Sequence, residues 1–328
     1  MKKRLTLILC LLLCCALCGL LTSCGNANKG GNDGYEDFVV VGFSQVGAES
    51  DWRNANTKSM QEALSEANGY RLILDDAQQK QERQITAIRN FIHQGVDYIV
   101  LAPTTEKGWE TVLAEAKTAK IPVIIVDRMI EIEDDSLFTC WIGSDFLGEG
   151  RNAVRWMENH FDDQPLRIVH LQGNLGSSAQ LGRTAGLEEG LERHPEWELV
   201  YQENGDFTQA KGQELVEALL ADGVEFDVLY SENDNMAYGA IDALKNAGIT
   251  PGKDVTIISF DAGRHALELV MAGEISYVVE CNPLHGPRVE AIIQRLEAKQ
   301  TPPKLTYVEE ASFDTETITQ TIIDGRGY

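Results

Sequence analysis

The chain has 328 residues, with 28 basic and 51 acidic side chains and a formal net charge of −23 at neutral pH. This length allows one large domain or two ordinary ones. The acidic balance argues against nucleic acid as a partner and against docking on an anionic membrane surface, because both require a basic face on the protein.

The first 36 residues predict export. A basic MKKR start, an apolar run from Leu5 to Leu21 and the ending LTSC are typical of a secretion signal, residues 1–23. LTSC resembles a lipobox, which predicts cleavage before Cys24 and lipidation of that cysteine. An ordinary signal peptide with a chance cysteine, or a membrane anchor, is the alternative. Residues 24–36 are rich in glycine and asparagine and predict a flexible tether. We therefore expect a protein on the extracellular face of the cytoplasmic membrane, or on its periplasmic side in a Gram-negative organism, held there by its lipid anchor only.

Cysteine usage agrees with export. Only Cys140 and Cys281 lie in the body of the chain, too few for a disulfide scaffold. The body must therefore be stabilised by its core. We expect two buried free thiols, with a bridge between them as the alternative.

Beyond the tether, nine apolar, β-rich runs alternate with amphipathic helical stretches. The runs are FVVVGFSQV, YRLILDDA, DYIVLAP, PVIIVDR, RIVHLQG, LVYQENG, FDVLYSEND, VTIISFDA and ISYVVECN. Strands that are apolar almost throughout belong to parallel sheets covered on both faces. The predicted fold class is therefore α/β, with doubly wound parallel sheets.

Two interruptions divide this alternation into two lobes. The acidic loop and strand MIEIEDDSLFTCWIGSD place a boundary near residue 142, and Pro283 marks the point where the chain returns. KLTYVEEA predicts one further crossing. We expect an N-terminal lobe of residues 37–142 plus 283–300 and a C-terminal lobe of 143–282 plus 301–328. A multi-strand hinge would join them, with a ligand cleft between.

Polar clusters follow the carboxyl ends of most predicted strands, where open parallel sheets bind ligands. Helix capping explains any one of these clusters, but six or seven with interleaved arginine and aromatic residues exceed what capping requires. Three kinds of side chain recur: carboxylates and amides that share hydrogen bonds with hydroxyls, forked guanidinium donors, and flat aromatic faces. They are Asp127, Asn233 and Asp261; Arg128 and Arg183; and Trp52 and Phe207. The mixture predicts a small, uncharged, hydroxyl-rich ligand, although Trp52 could instead be a core residue at a helix start.

Motifs for catalysis or cofactors are missing from the sequence. GNLGSSAQLGR lacks the lysine and serine or threonine of a P-loop, and it holds no tight dinucleotide-binding glycine pattern. The six histidines lack metal-ligand spacing, and no G-x-S-x-G elbow occurs. We therefore expect no cofactor and no metal, and nothing supports an enzyme.

The chain resembles the sugar-binding proteins of ABC importers, which have the type I periplasmic-binding fold, and within them the galactofuranose-binding members. The resemblance covers about residues 38–328 and is carried in the first half by VGFSQVGAESDWR, DDAQQKQERQI, GVDYIVLAP, GWETVL and PVIIVDR. In the second half it is carried by QGNLGSSAQLGR, GDFTQAKG, ENDNMAYGAIDALKNAG and PGKDVTIISFDAG.

The resemblance implies a set of ligand contacts and a mechanism. The implied contacts are Glu49, Ser50, Asp51, Trp52, Arg53, Asp127, Arg128, Arg183, Phe207, Asn233, Asp261 and, from the returning hinge strand, Asn282 or Glu280. A monomer would capture a monosaccharide by hinge closure and deliver it to an ABC transporter permease, without chemistry.

Three other functions share parts of this pattern. A sugar-responsive repressor would begin with a DNA-binding helix-turn-helix, where this chain has an export signal. A sensing protein that presents sugar to a membrane receptor kinase would have the same sequence features as a transport protein. A secreted enzyme acting on sugars would be revealed by substrate turnover.

Overall fold

A computed structural model describes residues 38–162 and 164–328. The predicted signal peptide (1–23), the lipidation residue Cys24 and the tether (24–36) lie outside the described residues. Val39–Tyr328 form a compact unit of their own. Among the described residues, no helix has the length and apolar character needed to cross a membrane.

Two six-stranded sheets form the framework of the described residues, which confirms the predicted α/β, doubly wound class. The first sheet has the order β11-β5-β4-β3-β1-β2, and all of its pairings are parallel. Its strands are β1 (Val39–Gln45), β2 (Tyr70–Asp76), β3 (Tyr98–Leu101), β4 (Val123–Val126), β5 (Cys140–Gly143) and β11 (Leu305–Tyr307).

The second sheet has the order β12-β10-β9-β8-β6-β7 and is parallel except that β12 runs antiparallel to β10. Its strands are β6 (Leu166–Gln172), β7 (Trp197–Asn204), β8 (Val228–Ser231), β9 (Thr256–Asp261), β10 (Tyr277–Glu280) and β12 (Ser312–Asp314).

Helices cover both faces of each sheet, which explains why the central strands are buried along their whole length. The helices are α1 (Asp51–Ala63), α2 (Gln81–Gln94), α3 (Glu110–Thr118), α4 (Phe146–Phe161), α5 (Ser178–Arg193), α6 (Gln209–Ala221), α7 (Asp234–Asn246), α8 (Arg264–Ala272), α9 (Gly286–Glu297) and α10 (Gln320–Gly325).

Three crossovers connect the two lobes: one after β5, one after β10 and one between β11 and β12. After the second crossover, α9 returns to the first lobe, where Val289 and Ile293 pack in the same core cluster as Val41.

The expected assignment of residues 301–328 to the C-terminal lobe is wrong in its first part. Leu305 pairs with Trp141 and Tyr307 with Gly143, so β11 belongs to the first sheet. The third crossover therefore lies after Tyr307. Little in the sequence indicates this pairing, because β11 is a three-residue edge strand whose Leu305 and Tyr307 are largely exposed.

Glycines bring the backbones of α4 and α5 into contact. A Cβ atom at Gly186 would lie 2.6 Å from Cα of Gly150, and one at Gly182 would lie 2.7 Å from Cβ of Phe146. Side chains at these positions would force the helices apart. The close approach seats Arg183 of α5 against Glu149 of α4.

Replacing Gly186 by alanine is expected to lower the free energy of unfolding by about 1–3 kcal/mol, because the added methyl group overlaps the backbone of α4. Urea denaturation at an unchanged m-value is the measurement. Gly325→Ala in α10 is the matched control, because a Cβ atom there meets nothing within 4 Å. Equal stability of the two variants would contradict the close-packing argument.

Candidate functional site

A cavity lies between the two lobes, where the carboxyl ends of both sheets face each other. Its lining residues are Glu49, Ser50, Trp52, Arg53, Asp127, Arg128, Phe146, Ala179, Arg183, Phe207, Asn233, Asp261 and Cys281. Ten of the twelve residues proposed from the sequence are therefore brought together here. Their contact with a ligand stays a prediction.

Hydrogen bonds across the cleft hold the lobes closed. The Met129 N–H group donates to Oγ of Ser178 at 2.8 Å, and the Glu106 N–H group donates to the Gly176 carbonyl at 3.0 Å. These bonds join the first-lobe loops to the region where α5 begins, so the lobes are closed on each other.

Two of the predicted residues do not line the cavity. Asp51 is exposed, and its backbone N–H group donates to Oδ1 of Asn235 at 3.0 Å, while its Oδ2 accepts from Nδ2 of Asn235 at 3.2 Å. Asp51 therefore joins the start of α1 in the first lobe to the start of α7 in the second lobe. Asn282 does not line the cavity either, contrary to the prediction. Its Oδ1 accepts from the Leu284 N–H group at 3.0 Å.

The adjacent residue, Cys281, takes the place expected of Asn282. Neighbouring side chains of an extended segment point to opposite sides, so a shift of one position exchanges which of them faces the ligand. Glu280, the other candidate there, accepts instead from the Tyr328 hydroxyl at 2.8 Å and pairs with Arg326 at 2.5 Å. Alternation along the strand was the signal that could have identified Cys281.

Phe146 and Ala179 were also missed. Both lie in the first turn of a helix of the second lobe and look like ordinary apolar helix residues in the sequence. They pack with Trp52 and Phe207 in one apolar cluster. Both sequence interpretations of Trp52 therefore apply, because its ring is core-packed and also lines the cavity.

The start of α1 positions the first-lobe groups. Oγ of Ser50 accepts from the Arg53 N–H group at 3.1 Å and caps the helix. This turn directs the Arg53 guanidinium inward, where Nη1 lies 2.8 Å from Oδ2 of Asp127 and Nε lies 3.2 Å from Oε1 of Glu49. Trp52 anchors the same turn, since its Nε1–H donates to the Cys281 carbonyl at 2.6 Å.

Arg183 has the matching role in the second lobe. Its Nε donates to Oε2 of Glu149 at 2.7 Å, its Nη1 donates to the Glu232 carbonyl, and its Nη2 lies 3.5 Å from Oδ1 of Asp261. Burial raises the pKa of Asp261 well above its ordinary value, while Arg183 acts in the opposite direction. Asn233 caps α7, because its Oδ1 accepts from the Met236 N–H group at 3.0 Å.

Three cavity residues have a left-handed backbone conformation that non-glycine residues rarely adopt. The φ angles are 63° at Asp127, 61° at Phe207 and 106° at Asp261. Such conformations each cost on the order of 1–3 kcal/mol and cluster at functional sites. Here they turn residues at or just beyond the strand ends toward the space between the lobes.

Buried polar atoms without a partner surround the cavity. In the described ranges they include Oε2 of Glu49 and Nε of Arg128. Burial lowers the pKa of Arg128 to about 10, and the second cause is the neighbouring Arg53. Unpaired buried donors and acceptors are costly, so these atoms indicate a ligand that supplies both kinds of hydrogen bond.

The charges at the site are compensated within the protein. Three buried arginines stand beside four buried carboxylates: Arg53, Arg128 and Arg183 beside Glu49, Asp127, Glu149 and Asp261. An anionic ligand would meet carboxylates, and a cationic one would meet guanidinium groups. A neutral, polyhydroxylated molecule with an apolar face fits the arrangement.

Residues 41–285 match the family model described as periplasmic binding protein domain. The galactofuranose-binding protein YtfQ of Escherichia coli is 38% identical over 283 residues, which are 85% of this chain and 89% of that protein.

Solved structures with the same fold include the binding protein of the arabinose ABC transporter of Shewanella sp. ANA-3, bound to α- and β-L-arabinofuranose. It has 40% identity, a TM-score of 0.83, and coverage of 88% of this chain and 95% of that one. A protein of Mycobacterium smegmatis in complex with β-D-fucofuranose has 38% identity and a TM-score of 0.84, with the same coverage.

Both cysteines of the described chain are buried and free, so Cys140 and Cys281 form no bridge. Burial raises the pKa of Cys140 to about 11 and that of Cys281 well above its ordinary value, which leaves little reactive thiolate.

In a chain that begins at residue 36, we expect slow thiol titration of the folded protein and two thiols after unfolding without reductant. Fewer than two would contradict the free-thiol structure.

Proposed function

Because the chain belongs to the periplasmic binding protein family, we propose that it is a lipid-anchored sugar receptor that captures a monosaccharide in its furanose form and delivers it to the permease of an ABC importer. Like its relatives, the chain is a solute-binding protein and not an enzyme. Its place is periplasmic or extracellular.

This proposal rests on the cavity between the lobes. Carboxylates of the protein already neutralise its guanidinium groups, but individual hydrogen-bond donors and acceptors of these side chains have no partner. Nε of Arg128 can donate to a sugar hydroxyl, and Oε2 of Glu49 can accept from one. The rings of Trp52 and Phe207 offer apolar faces to the C–H side of a sugar ring. A small uncharged aldose satisfies all of these groups together.

The furanose ring form is proposed on the strength of the relatives. Galactofuranose, arabinofuranose and fucofuranose are the sugars named for the related proteins described above. They share a five-membered ring and differ in the exocyclic substituent.

Capture follows from the connection of the lobes. In this proposal the sugar binds one lobe while the cleft is open, and rotation about the three crossovers brings the other lobe over it. The closed lobes then present a single surface to the permease. An epimer that leaves one buried group without a partner loses much of its affinity.

Delivery and anchoring remain proposals from the sequence. The LTSC ending supports lipidation of Cys24, and the sequence resemblance supports a monomer that serves a permease. No feature of the described residues favours the alternative role, presentation of sugar to a membrane receptor kinase, over import.

Calorimetric titration of a chain that begins at residue 36 tests this function. We expect L-arabinose or methyl galactofuranoside to bind more tightly than glucose, xylose or ribose. Arg128→Ala is expected to lower the affinity about a hundredfold, roughly 3 kcal/mol, because a charged donor is lost and its buried neighbours are left unpaired. Asp261→Ala should act in the same direction.

The matched control is Arg89→Ala, which removes an exposed guanidinium paired with Glu115 at 2.8 Å. Its affinity should equal that of the unchanged protein. Absence of binding across the whole panel would reject a monosaccharide ligand, and equal loss in the control would show that the variants act through stability.

A further inference from the structure

We propose that Glu310 is a positioning residue of the hinge whose carboxyl group must be protonated for the lobes to stay closed, so that sugar capture is coupled to proton uptake. This rests on the function proposed above. It adds a regulatory property, because affinity would then depend on the acidity outside the cell.

The three crossovers meet at this side chain. Glu310 lies on the third crossover, and its Oε1 accepts from Oγ of Ser144 on the first crossover at 2.7 Å. The same oxygen accepts from the backbone N–H group of Asn282 on the second crossover at 2.6 Å. Rotation of the lobes changes the relative positions of these segments, so this carboxyl group can respond to opening and closing.

A second carboxyl group lies next to it. Glu149, Cys281 and Glu310 each offer one side-chain atom such that these three atoms lie within 4.8 Å of one another. Glu149 is 3% exposed and also has a hydrogen bond with the Cys281 side chain. Two carboxylates this close in a buried place cannot both be ionised without a large cost.

The surrounding charges favour a proton on Glu310 over one on Glu149. Arg183 donates to Glu149 at 2.7 Å and stabilises its ionised form. None of the ion pairs found in the described chain includes Glu310. Titratable and charged groups from several elements face the pair. They are Arg183 of α5, Cys281 of the second crossover, Glu280 of β10 with its partner Arg326, Asp261 at the end of β9 and Asp127 after β4.

The acidity of the two groups agrees with this geometry. Burial raises the pKa of Glu310 to about 8, and the charge of Glu149 adds to the effect, while the hydrogen bonds from Asn282 and Ser144 oppose it. Burial also raises the pKa of Glu149 to about 7, against the effect of Arg183.

The sign of the pH dependence follows. Opening admits water to Glu310 and moves its pKa toward the ordinary value, so the closed form binds the proton more tightly. The contribution to closure is complete below the ordinary pKa of a glutamate and is lost as pH rises through the closed-form value. Sugar affinity should therefore fall with rising pH and level off above about pH 8.

A divalent cation bound by the same three side chains is the competing explanation. The guanidinium group of Arg183 against Glu149 opposes it, because a further positive charge would be placed beside a buried arginine. A chelator distinguishes the two explanations. Removing a bound metal ion would change the sugar affinity, whereas a chelator does not change the affinity if the site holds a proton.

The experiment is calorimetric titration with L-arabinose and methyl galactofuranoside from about pH 6 to about pH 9, in buffers of different ionisation enthalpy, with and without EDTA. For the unchanged protein we expect affinity to fall by about tenfold or more, with net proton uptake on binding. Glu310→Gln should bind at least as tightly as the unchanged protein does at pH 6 and should lose the pH dependence, because glutamine resembles the protonated carboxyl group and needs no proton on closing.

Two further variants keep the test specific. Glu309→Gln changes the exposed neighbouring carboxylate and should leave the pH profile unchanged. Ser144→Ala removes a hydrogen bond that lowers the pKa of Glu310, so its fall in affinity should move to higher pH. A flat profile in the unchanged protein, the same fall in Glu310→Gln, or an effect of EDTA would overturn the proposal.

Infrared spectroscopy of ligand-free protein whose lobes are cross-linked in the closed form, across the contact between Met129 and Ser178, separates this proposal from the proposed function. A protonated-carboxyl band that disappears on raising pH through about 8, and is absent in Glu310→Gln, would place the proton on Glu310 even if no sugar in the panel bound. In that case the sugar assignment and the coupling to it would fail together. Absence of the band would overturn the proton latch whatever sugar binds.

Discussion

The structure depends on the compensation of buried guanidinium charge where the two lobes meet. Arg53 is neutralised within the first lobe, chiefly by Asp127, and Arg183 within the second, chiefly by Glu149. Breaking a buried pair leaves an uncompensated charge at a cost of about 3–5 kcal/mol, so each pair fixes the side chains around it. Because the arginines are satisfied by the protein, they can offer their remaining donors to a neutral ligand.

The backbone around these pairs is built to bring them together. Glycines let α4 and α5 approach until their backbones touch, which places Glu149 and Arg183 in contact. Left-handed conformations after β4 and β9 turn Asp127 and Asp261 toward the same space. Both features carry a cost in local stability, and the continuous apolar cores of the two lobes offset it.

The hinge belongs to the site and does more than connect the lobes. Cys281 lines the cavity, and its carbonyl accepts the Trp52 indole N–H group from the opposite lobe. The neighbouring Asn282 and the first-crossover Ser144 both donate to Glu310. Contacts with the ligand and contacts among the crossovers therefore share the same few residues, which couples occupation of the cavity to the position of the lobes.

The sequence by itself determined the fold class, because long apolar strands alternating with amphipathic helices can be buried only in parallel sheets covered on both faces. It also located seven cavity residues, since the groups that follow strands lie at one edge of such a sheet, and the resemblance to sugar-binding proteins added Glu49, Ser50 and Arg53. Only the tertiary structure decided the sheet of β11, the exchange of Asn282 for Cys281, and the convergence on Glu310. The sheet of β11 and the convergence on Glu310 depend on contacts between segments far apart in the chain, for which local sequence carries no signal. For Cys281 the alternation along the strand is a local signal, but a shift of one position reverses which side chain faces the cavity, and only the structure fixes that position.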